Sequence, residues 1–422
     1  MSIRNIGVVL IGLIGIAIDA GRAGAQTMPA CSALGNDPVT GNALPPPLYI
    51  SGSTALEPML KSIGPKLAGL ASGGYTLVYI KDGSCSGVNR IISDGLIKTN
   101  AFYIPASYNP ATTPTPPQCT IPSTGTLGDL VLSDVDPALC PGVTVPANLK
   151  DYPGPVNNMV FVVPSSSTQK AISYEMAYLV FGLGASGGVS PWIDPMFYFI
   201  RTPDSGTRAL ITANIGTTTH NWQGLSADPV TGKAFGSGDI VTHVSQQTTA
   251  AEKTIGIVGA DVYDSGNNRS TIKALAFRAK GQRYAYWPDS TLSSKDKRNV
   301  REGRYGIWSH LHMLLTTSGG TPVSVPGKFF VDLIQGTLAA PPTTFDATDA
   351  IVDAHLVPDC AMKVQHSAES SNTGLPMSFY DNPAPCGCYF DNRATGVAPS
   401  SCTACTTTCA TGVCRRGFCE AK

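Results

Sequence analysis

The sequence predicts an α/β protein that ends in a small cysteine-rich tail, and three observations support this prediction. From Leu48 onward, short apolar runs typical of strands alternate with amphipathic segments typical of helices, a pattern that favours an α/β class with mainly parallel sheets. Hydrophobic residues make up 42% of the 422 residues, which is ample for a folded core. Eight of the twelve cysteines lie between Cys360 and Cys419, close to the end of the chain.

The first elements follow a proline-rich lead-in, residues 26–47. Leu48–Ile50 predicts a strand because it is a short apolar run. Thr54–Ala71 has apolar residues at helical spacing and predicts a helix, which we expect Gly64-Pro65 to break or kink. Tyr75–Ile80 predicts the second strand.

The next segments continue the alternation of helices and strands. Val88–Ile97 predicts a helix because its apolar residues share one face, and residues 105–155 are rich in loops and prolines. A second proline-rich linker, Ala339–Thr344, precedes the tail. Between these two regions the sequence predicts a strand at Val160–Val163, a helix at Ala171–Phe181, a strand at Phe197–Ile200 and a helix at Arg208–Ile215.

The charge balance excludes one class of partner. The chain has 29 basic and 29 acidic residues, and charged residues make up only 14% of it. A nucleic-acid-binding protein would show a basic face or stripe, so we expect no nucleic-acid partner. The 44 glycines and 33 prolines indicate many turns.

The first 25 residues have the pattern of a secretory signal peptide. Arg4 supplies a positive charge, Ile6–Ile18 is an apolar run, and Ala23-Gly24-Ala25 is a cleavage signal, so the mature chain is expected to begin near Gln26. One alternative is a membrane anchor, for which this run is short. The other alternative is a lipid anchor on Cys31. We expect an exported protein of the periplasm, the cell surface or the extracellular space.

An even number of cysteines in an exported chain indicates disulfides. We expect two bridges among Cys31, Cys85, Cys119 and Cys140. Cys360 and the seven tail cysteines are expected to form four more, with many connectivities open. Zinc binding by the tail is the alternative, and an oxidising compartment disfavours it.

The most informative pattern is a glycine–hydroxyl turn between a strand and a helix, which occurs three times. We call these the first turn (Ser51–Thr54), the second turn (Gly83–Gly87) and the third turn (Arg201–Thr207). Each places hydroxyl residues and glycine at a helix N-terminus, where unpaired N–H groups and the helix dipole favour an anion. Arg201 adds a guanidinium that suits an oxyanion. Plain helix capping by Ser and Thr is the alternative interpretation.

At these turns the chain resembles the phosphate-binding periplasmic component of bacterial ABC uptake systems, a type II periplasmic binding protein. The resemblance runs from about Leu48 to about Thr337 and includes the order of the three turns and the spacing from Arg201 to Ser205. It implies two α/β lobes joined by crossing strands, with the ligand in the cleft. It also implies a division of the chain into a signal peptide (1–25), a linker (26–47), the first part of lobe 1 (48–155), lobe 2 (156–288), a return to lobe 1 (289–338), and a linker with the disulfide-rich tail (339–422).

The resemblance also implies a function and a binding site. The expected ligand is inorganic phosphate or a similar oxyanion, and the expected partner of the monomer is an ABC transporter permease. No catalytic residue, metal or cofactor is expected. The ligand-binding residues carried over from the family are Ser53, Thr54, Ala55, Ser84, Arg201, Ser205, Gly206 and Thr207.

Two positions depart from the family pattern. The family has an Ala-Ser-Asp-x-Pro segment whose Asp accepts a hydrogen bond from a protonated phosphate, and we align it with Ala106–Pro110, where Tyr108 replaces the carboxylate. A phenol can donate, so this alignment leaves a fully ionised oxyanion, another anion or no small ligand open. Asp204 lies one residue later than the family's Asp, and it is expected to pair with Arg201 or to cap the next helix.

Other classes of function compete with this interpretation. Gly184–Gly188 matches the G-x-S-x-G motif of serine hydrolases, but its flanks favour a flexible loop. Four scattered histidines are expected to be structural or on the surface: His220, His243, His310 and His312. Asp261–Ser270 is rich in oxygen ligands but lacks EF-hand spacing, so it predicts a turn. Because transport does not require the tail, a cell-surface or secreted interaction protein on the same fold is the main alternative.

Overall fold

The largest element of the molecule is a single sheet of eleven strands. The structure is a computed structural model that describes residues 28–218, 221–366 and 377–421. The predicted signal peptide (1–25) and His220 lie outside the described residues. No helix among the described residues is both long and apolar enough to cross a bilayer.

The elements are numbered along the chain. Up to residue 148 they are β1 (Pro47–Gly52), α1 (Glu57–Ala68), β2 (Thr76–Lys81), α2 (Ser84–Ser93), β3 (Leu96–Ile97), β4 (Ala101–Ile104), β5 (Gln118–Cys119), β6 (Thr126–Leu127) and β7 (Leu130–Ser133). The next group is β8 (Leu149–Pro164), β9 (Ala171–Ser173), α3 (Tyr174–Tyr178), β10 (Tyr198–Phe199), α4 (Gly206–Ile215), α5 (Ser237–Gln246), β11 (Ile255–Gly259), α6 (Ala260–Asp264), α7 (Asn268–Thr271), β12 (Ile272–Ala274) and β13 (Ala276–Arg278). The last group is α8 (Arg298–Arg301), β14 (Trp308–Ser318), β15 (Thr321–Pro322), α9 (Val325–Gln335), α10 (Ala347–Asp353), β16 (Val364–His366), β17 (Met377–Phe379), α11 (Gly387–Thr395), β18 (Val413–Arg415) and β19 (Phe418–Glu420).

The strand order β10-β11-β8-β14-β7-β1-β2-β4-β5 divides the sheet into two lobes. The long strand β8 belongs to both. Its first part pairs with β14, and its second part, from Met159 onward, pairs with β11 and β12. Lobe 1 is therefore built on β7, β1, β2, β4 and β5, and lobe 2 on the second part of β8 with β10, β11 and β12. The α/β class and the two-lobed architecture are confirmed.

The expectation of mainly parallel strands is wrong. β1 runs parallel to β2 and β7, and β10 runs parallel to β11, but the other pairs of this sheet are antiparallel. The reason is topological, because β8 carries the chain from lobe 1 into lobe 2 and β14 carries it back along β8 in the opposite direction. Alternating strands and helices in the sequence do not reveal these crossings.

Helix boundaries also differ from the predictions. A 3₁₀ turn, Thr54–Leu56, precedes α1, which runs unbroken through Pro65. Close packing on β4 stabilises α1 here, since a β-carbon at Gly64 would lie 2.6 Å from Ile104 Cγ2. The helix predicted at Val88–Ile97 begins earlier and ends at Ser93, because Gly95 adopts a positive φ of 67°.

Two more predicted segments change type. Ala171–Ser173 is a strand, and the helix begins only after it, where Ser173 Oγ accepts a hydrogen bond from Met176 N at 3.2 Å. The turn predicted over Asp261–Ser270 consists largely of the short helices α6 and α7.

Each lobe has its own apolar core. In lobe 2 the core surrounds Phe161, Phe181 and Trp192, which are fully buried. In lobe 1 one face of α1 packs against β2, β4 and α10, in a core that also includes Ile351 of α10. The segment that follows the Ala339–Thr344 linker is thus packed into lobe 1 before the tail begins.

All cysteines of the described residues are in disulfides, and none is free. The predicted separation into an N-terminal group of four and a C-terminal group of eight is confirmed. The six bridges are Cys31–Cys119, Cys85–Cys140, Cys360–Cys386, Cys388–Cys402, Cys405–Cys414 and Cys409–Cys419.

Candidate functional site

The first turn follows β1 at the edge of lobe 1 that faces the cleft. Gly52 has φ 123°, and a β-carbon there would overlap the backbone oxygen of Leu132, so the turn needs glycine. Ser53 Oγ accepts a hydrogen bond from Ala55 N at 3.0 Å, as a helix cap does. The same hydroxyl donates to Asp134. The first turn therefore combines capping with a contact to a buried carboxylate.

The second turn opens α2, a helix of ten residues. Ser84 is the first residue of the helix and is fully buried, and no side chain caps this helix. Its Oγ accepts a hydrogen bond from Asp134 N at 3.1 Å. The Cys85–Cys140 bridge ties the turn to the loop after β7. Helix capping therefore does not explain why a buried serine stands at this position.

The third turn opens α4, also of ten residues, and Ser205 is its N-cap without a side-chain capping bond. Thr207 is buried, and its hydroxyl has no hydrogen-bond partner in the described part of the chain. Buried polar groups in native structures are nearly always paired, so this hydroxyl at a helix N-terminus is one that a bound ligand could pair with. The capping interpretation therefore applies to Ser53 but not to Ser84 or Ser205.

Arg201 is held rigidly at the base of the cleft and is 5% exposed. Its Nε donates to Phe235 O at 2.9 Å, Nη1 donates to Ser237 Oγ at 2.5 Å, and Nη2 donates to Thr54 Oγ1 at 3.3 Å. A guanidinium has five N–H groups, so one donor on each terminal nitrogen remains for a ligand. Burial lowers the pKa of Arg201, and the neighbouring carboxylate of Asp134 opposes this shift.

The three turns meet at one place. Arg201 of the third turn reaches Thr54 of the first. A β-carbon at Gly206 would overlap Ser84 Oγ and lie 2.9 Å from Asp134 Cβ, so the second and third turns approach as closely as glycine allows. Of the eight predicted residues, four make these contacts, and the other four are their immediate neighbours in the chain: Ser53, Ala55, Ser205 and Thr207.

Asp134 is the residue that the sequence analysis missed. It follows β7, is 3% exposed, and joins Ser53 to Ser84. Burial raises the pKa of its carboxyl, while the hydrogen bond from Ser53 and the charge of Arg201 lower it. The signal that could have identified it is an acidic residue directly after the apolar run of β7.

Tyr108 does not take the place of this carboxylate. It lines the outer cleft, and its hydroxyl donates to Pro114 O at 3.2 Å. Burial raises the pKa of Tyr108 to about 12. The alignment of Ala106–Pro110 with the acidic segment is therefore wrong, because the carboxylate that contacts the first and second turns is Asp134, after β7, whereas Tyr108 follows β4 at the outer cleft.

Asp204 joins the second and third turns. Its backbone oxygen accepts a hydrogen bond from Cys85 N at 3.1 Å, and its Oδ2 accepts one from Ser86 Oγ at 2.9 Å. Because Cys85 and Asp204 belong to different lobes, these bonds hold the lobes together beside the site. Asp204 thus makes an interlobe contact in place of the predicted ion pair or helix cap.

A cleft of about 1140 Å³ opens outward from Thr54, Arg201 and Ser205. Its walls carry both signs of charge, and the lysines are largely paired. Lys61 and Lys81 both lie 2.8 Å from Glu57, and Lys233 lies 3.1 Å from Asp239. The cleft therefore leads to the turns without forming a strongly basic funnel.

The residues that could support a serine hydrolase or a metal site make ordinary structural contacts. Ser186 lies on a 3₁₀ turn, without the strand and helix of a nucleophile elbow, and its hydroxyl donates to Leu183 O at 2.7 Å. His312, Asp151 and Asp136 each place a ligand atom within 4.8 Å of the others, a spacing compatible with a metal. However, His312 Nδ1 already lies 2.6 Å from Asp151 Oδ2, as in an ordinary hydrogen-bonded pair.

No protein-family model matches the chain, and no curated protein matches it. Among solved structures it is similar to a phosphate ABC transporter substrate-binding protein with bound phosphate from Clostridium perfringens, with 14% identity over 74% of this chain and 99% of that chain and a TM-score of 0.48. It is similar to an ABC-type phosphate transport receptor from Vibrio cholerae, with 14% identity over 74% and 99% and a TM-score of 0.46. It is also similar to a human phosphate-binding apolipoprotein, with 14% identity over 74% and 90% and a TM-score of 0.44. These values describe a distant likeness.

Proposed function

We propose that this protein is an exported solute-binding protein that holds a small tetrahedral oxyanion, inorganic phosphate in particular, where the three turns meet. The observation that carries the proposal is the hydrogen bond from Arg201 to Thr54 together with the close approach of Gly206 to Ser84. These contacts bring two helix N-termini, a 3₁₀ turn and a guanidinium with spare donors to one point. Such an arrangement suits an oxyanion without a basic surface patch.

Asp134 determines which oxyanion the site prefers. An ionised carboxylate only accepts hydrogen bonds, so it repels a fully ionised anion and accepts a hydrogen bond from a protonated one. Phosphate carries a proton at neutral pH, and sulfate does not. We therefore expect phosphate to bind more tightly than sulfate.

Export of the chain from the cytoplasm is part of the same proposal. The predicted signal peptide and six disulfides fit an oxidising compartment outside the cytoplasm. An ABC transporter permease is the partner expected of such a binding protein. Cell fractionation with an antibody to the tail tests export, and recovery of the chain in the cytoplasm alone would contradict it.

Titration calorimetry of the intact, oxidised chain with phosphate and with sulfate tests the ligand. We expect one phosphate per chain and weaker binding of sulfate. Asp134→Asn should reduce the preference for phosphate, because the amide can donate to a fully ionised anion. Asp353→Asn, which changes a carboxylate at the cleft mouth, is the matched control. A folded chain that gives no binding heat with either anion would overturn the proposal.

A further inference from the structure

A second buried carboxyl group, that of Asp261, lies beside the cleft, because the next residue, Val262, lines it, and the proposed binding scheme does not use this group. Asp261 is the second residue of α6, directly after β11, and it is fully buried. Its Oδ1 accepts a hydrogen bond from Asn157 Nδ2 at 3.1 Å. Its Oδ2 has no hydrogen-bond partner among the described residues. Ionised carboxylates are rarely buried with an unpaired oxygen, so this group is a poor site for a permanent negative charge.

The charges around Asp261 come from other elements that surround the site. Asp134, after β7, adds a negative charge, and Arg201, before α4, is close enough to interact with both carboxylates. On β8, Asn157 contributes a neutral donor. The guanidinium of Arg201 thus faces the carboxyl groups of Asp134 and Asp261 and also those of Asp204 and Asp239, and an anion bound there would add further negative charge. Protonation of one carboxyl group would relieve this repulsion.

Asp261 is better placed than Asp134 to take this proton. Burial raises the pKa of both carboxyl groups, but at Asp134 the hydrogen bond from Ser53 and the charge of Arg201 oppose this shift and stabilise the ionised form. Burial, and to a lesser degree the charge of Asp134, raise the pKa of Asp261 to about 7. A proton on Oδ2 would neutralise the group without disturbing its bond to Asn157.

We propose that Asp261 is a specificity-determining residue that is protonated in the complex with the oxyanion, so that a chain with an ionised Asp261 takes up a proton from solvent together with its ligand. This inference rests on the proposed function. Affinity for the anion should decrease as pH rises past the titration of Asp261, because an ionised Asp261 repels the anion across the site. The decrease is up to tenfold per pH unit, the limit for one linked proton.

Asp261→Asn distinguishes this role from a structural one. The amide oxygen can accept the bond from Asn157, and the amide NH₂ takes the place of the protonated oxygen, so the variant imitates the neutral acid. We expect the variant to bind phosphate about as tightly as the wild type at pH 6 and up to tenfold more tightly at pH 8. A structural role alone would weaken binding at both pH values.

Calorimetry at pH 7.5 in two buffers with different ionisation enthalpies measures the proton uptake. Phosphate has the same protonation equilibrium in both experiments. The difference in proton uptake between wild type and Asp261→Asn therefore reports the protonation of Asp261 alone. Wild type should take up more protons per phosphate than Asp261→Asn, and Asp353→Asn should match the wild type. Asn157→Ala keeps the carboxyl group of Asp261 but removes the hydrogen bond that Asn157 donates to it. The pH range over which the protein takes up a proton should therefore shift to higher pH. This variant provides the test if Asp261→Asn does not fold.

The outcomes separate the two proposals. Equal proton uptake in wild type and Asp261→Asn, with phosphate bound by both, would overturn the role of Asp261 and leave the proposed function intact. No phosphate binding by the folded wild type would overturn the proposed function itself.

Discussion

Replacing Arg201 with alanine is the most informative single substitution at the site. The side chain makes three hydrogen bonds to the protein, to Phe235, Ser237 and Thr54, and two of its N–H groups remain for the ligand. The substitution therefore removes a pair of charge-assisted donors as well as the contact between the first and third turns.

The magnitude follows from those two donors. A hydrogen bond to a charged group contributes about 1.5–3 kcal/mol, so the loss of two should cost at least about 3 kcal/mol of binding free energy. This corresponds to an increase in the Kd for phosphate of at least about 150-fold. Arg201→Lys keeps a positive charge but lacks the planar fork, so we expect an intermediate loss.

Calorimetry at pH 7 measures the Kd, and thermal unfolding without ligand shows whether each variant is folded. Arg278→Ala is the control, because Arg278 forms an exposed ion pair with Glu175 at 3.1 Å away from the cleft residues. If Arg201→Ala binds phosphate within threefold of wild type while Arg278→Ala also does so, the guanidinium does not contact the ligand and the reasoning fails.

Three further predictions concern close packing, cross-linking and pH. Gly206→Ala should raise the Kd for phosphate at least about fivefold in calorimetry, because its β-carbon would force the second and third turns apart, at a typical cost of about 1–3 kcal/mol. Gly238→Ala, with open space around it, should bind normally. Replacing Cys85 and Cys140 together by serine should lower the free energy of unfolding in urea by about 2–4 kcal/mol, since the bridge closes a span of 55 residues; an unchanged value would contradict this. Because the pKa of Asp261 is raised from 3.8 to about 7 on folding, wild type should lose about 3 kcal/mol of stability relative to Asp261→Asn as pH rises from 4 to 7. Parallel stability curves would contradict this.

Local sequence patterns predicted the turns well, because their chemistry lies within a few consecutive residues. Ser53, Ser84 and Gly206 each stand at the start of a helical segment, and that position alone suggests an anion site. Their convergence could be expected only from the family resemblance, since it depends on contacts such as that between Thr54 and Arg201, 147 residues apart.

The two buried carboxyl groups were not predicted, and the reason is again separation along the chain. Asp134 lies 81 residues from Ser53, and Asp261 lies 104 residues from Asn157. The sequence alignment placed Tyr108 at the position of the family's Asp, because Ala106–Pro110 matches the family's Ala-Ser-Asp-x-Pro segment at several positions. The contacts of Asp134 with Ser53 and Ser84 decide against that choice, and such long-range contacts do not follow from local periodicity.

The strand directions and the packing of α10 also depend on contacts between distant parts of the chain, which local sequence patterns do not predict. Apolar runs predicted β1, β2 and the buried part of β8, but not that β8 and β14 would cross between lobes in opposite directions. The proline-rich linker suggested that the chain leaves the body at Ala339, yet the apolar face of α10 returns to pack in lobe 1. Long-range burial decided both features.

The most direct test of the central claim is a crystal structure of the intact chain grown with phosphate. We predict one tetrahedral anion that accepts hydrogen bonds from the guanidinium of Arg201, the hydroxyls of Thr54 and Ser84, and the backbone N–H groups at the start of α4, with one of its oxygens beside Asp134. Phosphate bound elsewhere while the three turns hold only water, in a protein whose lobes are arranged as described, would contradict the claim.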